Sequence, residues 1–174
     1  LRAEIIVKGI VQGVGFRPNV WRLAREHGLI GEVLNDADGV LIRAGGSTRA
    51  IAEFIAHMHR EPPPLGRIDQ IETRDYQGEL SGGFRIVESV GGAAHTQVTP
   101  DAAICPDCAR EALDPFERRY RYPFTNCTHC GPRFTLIESM PYDRPNTTMA
   151  EFSMCPACLA EYQDPADRRF HAQP

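Results

Sequence analysis

Three Cys-x-x-Cys pairs constrain this chain more than any other feature of its sequence. Eighteen residues separate the first pair from the second and twenty-four separate the second from the third, and the pairs hold all six cysteines: Cys105, Cys108, Cys127, Cys130, Cys155 and Cys158. Two thiolates spaced in this way form half of a tetrahedral site, and two pairs complete the four-thiolate sphere of structural zinc. The spacing therefore predicts a zinc-binding module, with all six cysteines as candidate ligands.

Other uses of paired cysteines fit this pattern less well. A thioredoxin-like redox site needs one such pair rather than three, and a disulfide framework needs an oxidising compartment. Iron–sulfur clusters are usually held by tighter runs of cysteine. The sequence therefore favours zinc.

An internal repeat runs through the cysteine-containing half. Residues 105–120 align with residues 155–170 at an offset of 50, with eight of sixteen positions identical. The same offset carries Cys127 and Cys130 onto positions 177 and 180, so we expect a fourth pair there and a second repeat that is truncated in this chain. Consecutive pairs could share a metal, or the outer pairs could share one and the inner pairs another. His171 is a weaker candidate ligand, because its counterpart in the first copy is Arg121.

Each copy of the repeat ends in an arginine pair, which is Arg118 and Arg119 in the first copy and Arg168 and Arg169 in the second. Such a cluster could hold an anion. Arginines more often pair with nearby carboxylates, and four acidic residues are close in sequence: Asp114, Glu117, Asp164 and Asp167. We therefore expect these arginines to form ion pairs.

Composition divides the chain into two unlike parts. Residues 1–89 contain no cysteine, residues 90–100 have the composition of a linker, and residues 101–174 form the predicted zinc module. The net charge of -4 argues against non-specific binding to nucleic acid. No apolar run is long enough for a membrane helix, and the start lacks the layout of a signal peptide. We therefore expect a cytoplasmic protein without nucleic-acid or membrane partners.

The first 89 residues show the alternation of a small α+β domain. Strand patterns at residues 5–7, 30–35, 40–44, 68–76 and 84–87 are interrupted by helical patterns that begin near Pro18 and at Ser47 or Thr48. Pro18 suits the first turn of a helix and Gly28 its end. The first four strands and the two helices follow in the order β-α-β-β-α-β, with a short fifth strand at the end, and this order predicts the ferredoxin-like fold.

A glycine-rich loop joins the first predicted strand to the first predicted helix. Its backbone N–H groups could converge on an anion at the helix start, and Arg17 could grip two phosphate oxygens at once. The candidate phosphate-binding residues are Gln12, Gly13, Val14, Gly15, Phe16 and Arg17. We expect a bound anion to lie against the amides of residues 12–17.

Residues 9–17 resemble the signature Gly-x-Val-Gln-Gly-Val-x-Phe-Arg of the acylphosphatases, with every fixed position filled. The second block of that family resembles residues 28–39 and contains Asn35. The resemblance implies that Arg17 anchors the phosphoryl group and that Asn35 positions the attacking water. Glu32 departs from the family, which commonly has tryptophan at this position.

The acylphosphatase-like part followed by repeated Cys-Pro-x-Cys modules resembles the N-terminal part of the HypF family of hydrogenase-maturation carbamoyltransferases. Residues 120–133 and 141–145 also resemble this family. It implies hydrolysis of an acyl phosphate, namely carbamoyl phosphate. It also implies that further domains of the full-length chain activate the product with ATP and pass it to HypE, on the way to the cyanide ligands of nickel–iron hydrogenase.

Two other functions remain open from the sequence. The chain could be a stand-alone acylphosphatase that carries a zinc adaptor. It could also be a non-enzymatic, zinc-organised interaction module whose first domain only binds an anion. Comparing the turnover of carbamoyl phosphate with that of a generic acyl phosphate distinguishes the stand-alone acylphosphatase from the carbamoyltransferase. Turnover that is abolished in Arg17→Ala excludes the non-enzymatic module.

Overall fold

The computed structural model describes residues 1–89, 102–125, 136–139 and 143–171 of the chain. We call residues 1–89 the sheet module and the described residues between 102 and 171 the cysteine module. The predicted linker at residues 90–100 lies outside the described residues, and so do Cys127 and Cys130.

The sheet module contains five strands and two helices. In chain order they are β1 (Arg2–Ile10), α1 (Phe16–Glu26), β2 (Ile30–Asn35), β3 (Val40–Gly45), α2 (Thr48–Arg60), β4 (Arg67–Asp75) and β5 (Phe84–Ile86). The strands lie in the order β4-β1-β3-β2-β5, and the first four pair in antiparallel fashion. The short β5 lies parallel to β2 at the other edge. The predicted ferredoxin-like α+β fold is confirmed.

The two helices each bury apolar residues that lie three or four positions apart, on one face of the helix. Val20, Leu23 and Ala24 of α1 are fully buried, and Phe54 and Met58 of α2 are fully buried against the same core. Ser47 caps α2, because its hydroxyl accepts a hydrogen bond of 3.0 Å from the N–H of Ala50. One hydrophobic core therefore lies between the helices and the sheet.

Gly9 allows a bulge at the end of β1. The register with β4 shifts between Lys8 and Gly9, and Gly9 has a φ of 134°. A Cβ atom at this position would lie 2.2 Å from the carbonyl oxygen of Arg67. Only glycine fits here. After the bulge, Gly9 and Ile10 still pair with β4, and the chain then enters the glycine-rich loop.

The described part of the cysteine module contains two short helices, α3 (Pro106–Leu113) and α4 (Pro156–Gln163), a 3-10 turn at Arg144–Asn146, and an antiparallel bridge between Ile137 and Thr147. Cys105 and Cys155 precede the two helices with nearly equal backbone angles.

Both copies also end in the same way. Arg121 and His171, 50 residues apart, each have a φ of 56°, and their N–H groups donate to the carbonyls of Ala112 and Tyr162, which are also 50 residues apart. The repeat is therefore a structural repeat as well as a sequence repeat.

Candidate active site and metal centre

The loop between β1 and α1 has the backbone of an anion-binding turn. Gly13 and Gly15 adopt left-handed φ values of 72° and 74°, on either side of the buried Val14. Gly15 precedes α1, and no side chain caps the helix there. Among the described residues, no protein acceptor takes a hydrogen bond from the N–H groups of Gly13, Val14 or Gly15. The start of α1 therefore offers N–H groups and a positive dipole end to an anion.

Gln12 ties this loop to the turn between β2 and β3. Its side-chain amide is buried and donates to the carbonyls of Asp36, at 2.7 Å, and Gly39, at 2.6 Å. The carboxylate of Asp36 in turn accepts from the N–H groups of Asp38 and Gly39. The side chain of Gln12 therefore links the glycine-rich loop to the turn between β2 and β3.

Asn35 is the last residue of β2 and lies beside that turn. Only 1% of it is exposed, and both atoms of its side-chain amide lack a hydrogen-bond partner among the described residues. A buried amide without a partner costs free energy of about 1–3 kcal/mol. A residue that bears this cost is suited to hold a water or a ligand atom.

Arg17 lies in the first turn of α1 and is 7% exposed. Its Nη2 donates to Oδ1 of Asp143 at 2.9 Å and lies 3.3 Å from Nδ1 of His171, and its Nη1 donates to the hydroxyl of Ser89 at 3.4 Å. The Ser89 hydroxyl donates to the other oxygen of Asp143. Residues from both modules therefore surround the guanidinium that the sequence singles out.

His171 is uncharged at neutral pH in this position. Its burial, together with the positive charge of Arg17, lowers its pKa to about 4 against an opposing effect of Asp143. A guanidinium only donates, so Nδ1 of His171 must accept from Arg17 and the ring proton must lie on Nε2. The ring is stacked on Tyr162 at 4.8 Å between centroids.

The residues that the cysteine module contributes to Arg17 were missed in the sequence. Asp143 lies in a block that resembles the HypF family, which was a signal of its importance but not of its role. The sequence makes His171 only a weak candidate for a zinc ligand, and in the structure its Nδ1 lies next to Nη2 of Arg17. No local pattern could reveal either contact, because Arg17 is 126 residues from Asp143 and 154 from His171.

The described cysteines lie in two pairs at the starts of α3 and α4, and the same local hydrogen bond is formed in each pair. The Sγ of Cys105 accepts from the N–H of Cys108 at 3.4 Å, and the Sγ of Cys155 accepts from the N–H of Cys158 at 3.5 Å. The hydrogen bonds from Cys158 lower the pKa of the Cys155 thiol. All four described thiols are free of disulfides, and such N–H contacts favour the thiolate form that zinc requires.

The four described cysteines do not converge on one point. Among the residues that the structure describes, no group of three or more cysteine, histidine or carboxylate side chains could hold a metal. Cys105, Cys108, Cys155 and Cys158 therefore do not form one four-cysteine site among the described residues, and the predicted pairings with Cys127, Cys130 and the expected fourth pair lie outside them. Each described pair supplies two thiolates and fits one half of a tetrathiolate zinc site.

The arginine pairs form ion pairs, as expected, but with other partners than the four acidic residues named from the sequence. Arg168 and Arg169 of the second copy pair with Glu111 on α3. Arg118 and Arg119 of the first copy pair with Glu161 on α4. The nearby carboxylates accept backbone N–H groups instead, as Asp114 does from Phe116 and Asp164 from Ala166. The acidic partners therefore come from the opposite copy.

Comparison with known proteins agrees with this two-part organisation. A family model described as acylphosphatase matches residues 3–86, and one described as HypF finger matches residues 104–137 and again residues 154–174. The carbamoyltransferase HypF of Rhodobacter capsulatus is 58% identical over 172 residues, which is 98% of this chain. The chain belongs to the HypF family. It matches the N-terminal part of that family and spans about 23% of the length of this relative.

Two further relatives match different lengths of this chain. The acylphosphatase of Mannheimia succiniciproducens is 45% identical over 89 residues, which cover 98% of that protein and 51% of this chain. A solved structure of full-length HypF in a phosphate- and nucleotide-bound form is 48% identical, with a TM-score of 0.90 over 99% of this chain and 23% of that one. Sequence and fold therefore agree over both modules. Among the described residues, no helix is both long and apolar enough to cross a membrane.

Proposed function

We propose that the chain hydrolyses an acyl phosphate, with carbamoyl phosphate as its substrate, at a site formed by the glycine loop, Arg17 and Asn35. The observation that carries the proposal is the buried guanidinium of Arg17 at an uncapped helix start, together with a buried Asn35 amide that has no partner among the described residues. Phosphate in a related HypF structure supports it, because phosphate is a product of this reaction.

The site needs to do little chemistry beyond positioning. The guanidinium of Arg17 and the loop N–H groups hold the phosphoryl oxygens, while the amide of Asn35 orients a water behind the phosphorus. Within the described residues, Nε of Arg17 makes no hydrogen bond and can face the phosphate. The water oxygen bonds to phosphorus as the bond to the acyl oxygen breaks, and carbamate leaves as a resonance-stabilised anion. The protons of the water pass to the phosphate oxygens and to solvent. No strong general acid is required for such a leaving group.

The metal sites are proposed as structural. Cys105 and Cys108 would hold one zinc together with Cys127 and Cys130, and Cys155 and Cys158 would hold half of a second site. The metal would fix the ends of the helices that carry Glu111 and Glu161. We further propose that residues 1–89 and 101–174 are separate domains joined by a linker at residues 90–100.

In this scheme the chain performs the first step of carbamoyl transfer. Further domains of the full-length protein would activate carbamate with ATP and pass the carbamoyl group to HypE, for the cyanide ligands of nickel–iron hydrogenase. The proposal draws on the carbamoyltransferase names of the curated relatives.

The test compares variants at two arginines of α1. Arg17→Ala should lower kcat/KM for carbamoyl phosphate and acetyl phosphate by about 10- to 100-fold, because it removes charge-assisted hydrogen bonds worth about 1.5–3 kcal/mol. Arg22→Ala is the control, since Arg22 lies on the same helix but is exposed and bonds to Glu26. Asn35→Ala should lower kcat while inhibition by inorganic phosphate is largely kept.

Circular dichroism of each variant shows whether the fold is retained. Wild-type turnover by the folded Arg17→Ala or Asn35→Ala protein would overturn the assignment of the site. Equal kcat/KM values for carbamoyl and acetyl phosphate would support a general acylphosphatase instead. Absence of turnover in the wild-type protein would leave only an anion-binding module.

A further inference from the structure

The two copies of the cysteine repeat exchange their arginine pairs. Glu111 on α3 accepts from both Arg168 and Arg169 of the second copy. Glu161 on α4 accepts from both Arg118, at 2.7 Å, and Arg119 of the first copy. Each copy therefore donates two guanidiniums to the glutamate of the other copy.

The exchanged arginines also reach the cysteine pairs. Nη1 of Arg168 lies 3.1 Å from Sγ of Cys108 and 3.9 Å from Sγ of Cys105, and Nη2 of Arg169 lies 3.8 Å from Sγ of Cys108. In the reciprocal contact, Nη2 of Arg119 lies 3.8 Å from Sγ of Cys158. Donors in both directions thus point at sulfur atoms of the opposite copy.

Burial makes these contacts important for the first copy. Cys108 is fully buried and Arg169 is 4% exposed, so water screens their interaction little. Although burial raises the pKa of Glu111, the hydrogen bonds from Arg169 and Arg168 lower it overall, so this carboxylate stays charged. The guanidiniums therefore lie between the carboxylate of Glu111 and the sulfur atoms of the cysteine pair.

Zinc bound by four thiolates carries a net negative charge, which is costly to bury without compensation. Groups that donate hydrogen bonds to metal ligands hold them in place and commonly change metal affinity by about 10- to 100-fold. Two guanidiniums directed at Cys105 and Cys108 supply both the compensating charge and the N–H donors. Because they come from the second copy, the support crosses between the repeats.

We propose that the arginine pair of each copy stabilises the thiolate metal site of the other copy. Retention of zinc at Cys105 and Cys108 then depends on Arg168 and Arg169, which lie about sixty residues away in the second copy. Each metal site then depends on arginines from the other copy of the repeat. This inference does not depend on the proposed acyl phosphate hydrolysis.

The experiment compares two matched double variants of the zinc-loaded protein. In Arg168→Gln/Arg169→Gln, zinc should be released to a chromogenic chelator about tenfold faster or more, and Cys105 and Cys108 should be alkylated faster by N-ethylmaleimide, as read by peptide mass spectrometry. In Arg118→Gln/Arg119→Gln, the equivalent ion pairs are lost at Glu161, but the alkylation of Cys105 and Cys108 should stay near the wild-type rate.

The matched design separates local support from general destabilisation. Both variants lose two arginine–glutamate ion pairs, so a merely structural role would expose Cys105 and Cys108 to the same extent in both. Arg168→Lys/Arg169→Lys retains the charges and should recover part of the protection. Equal exposure in both glutamine variants, or no change in the first, would overturn the proposal.

Discussion

Asp143 accepts a hydrogen bond from the guanidinium of Arg17, which the proposed chemistry needs for binding the phosphoryl group of the substrate. Its Oδ1 lies 2.9 Å from Nη2 of Arg17, and its other oxygen accepts from Ser89. A bound phosphate would bring a second negative charge to the same arginine. The two anions would repel each other by about 1 kcal/mol or more at such distances.

We therefore expect Asp143→Asn to strengthen inhibition by inorganic phosphate about fivefold or more, because it removes the competing charge and keeps the shape of the side chain. Steady-state kinetics with an acyl phosphate measures this inhibition constant. Ser89→Ala is the comparison variant, since it removes an uncharged contact of both Asp143 and Arg17 and leaves the negative charge in place. Weaker binding of phosphate in Asp143→Asn would show instead that the carboxylate orients Arg17.

At the scale of elements, the two helices of the sheet module begin in different ways. Ser47 caps α2 with its hydroxyl, whereas Gly15 precedes α1 in a left-handed conformation and contributes no side chain. A cap satisfies the N–H groups of the first turn, and an uncapped start leaves them for a ligand. The sequence of each start thus fits a structural role for α2 and a binding role for α1.

Alanine substitutions at these two positions should have different consequences. Ser47→Ala should lower the free energy of unfolding by about 1 kcal/mol without changing turnover. Gly15→Ala should lower it by about 1–2 kcal/mol, because alanine is strained at a φ of 74°, and should also reduce kcat/KM. Urea unfolding and acyl phosphate kinetics measure both effects. Unchanged kinetics in Gly15→Ala would argue against the loop as the phosphate site.

At the scale of the whole molecule, His171 makes the contact between the modules sensitive to acid. Its pKa is about 4 in the folded chain against an ordinary value of 6.5, so the unfolded chain binds more protons between these pH values. Stability therefore falls as the pH drops from about 6.5 towards 4. Protonation would also place a second cation beside Arg17.

We expect the stability of His171→Gln to fall less than that of the wild type as the pH drops, because glutamine can accept a hydrogen bond from Arg17 and does not titrate. The measurement is the urea midpoint at pH 7 and pH 4.5 for the wild type and the variant. His59→Gln is the control, since His59 is an exposed residue of α2. An equal acid-induced loss in wild type and His171→Gln would contradict the role of His171.

The sequence alone was sufficient for the order of the strands and helices in the sheet module, although β1 runs from Arg2 to Ile10 and so extends beyond the predicted residues 5–7. The burial period of α1 and α2, the Ser47 cap and the bounds of β2 all follow from interactions within a few residues. The repeat also follows from spacing, since each Cys-Pro-x-Cys begins a helix in the same way. Such features are local, so the residue pattern specifies them without knowledge of the chain path.

Only the tertiary structure decided which distant groups meet. The sequence indicates that Arg17 is important, but its ion pair with Asp143 depends on how the two modules dock. It also indicates that Arg168 and Arg169 need acidic partners, but nearby carboxylates bond to the backbone and Glu111 of the other copy takes their place. Charged side chains pair with whatever opposite charge the fold brings within reach, and that choice is made by the path of the chain rather than by its local pattern.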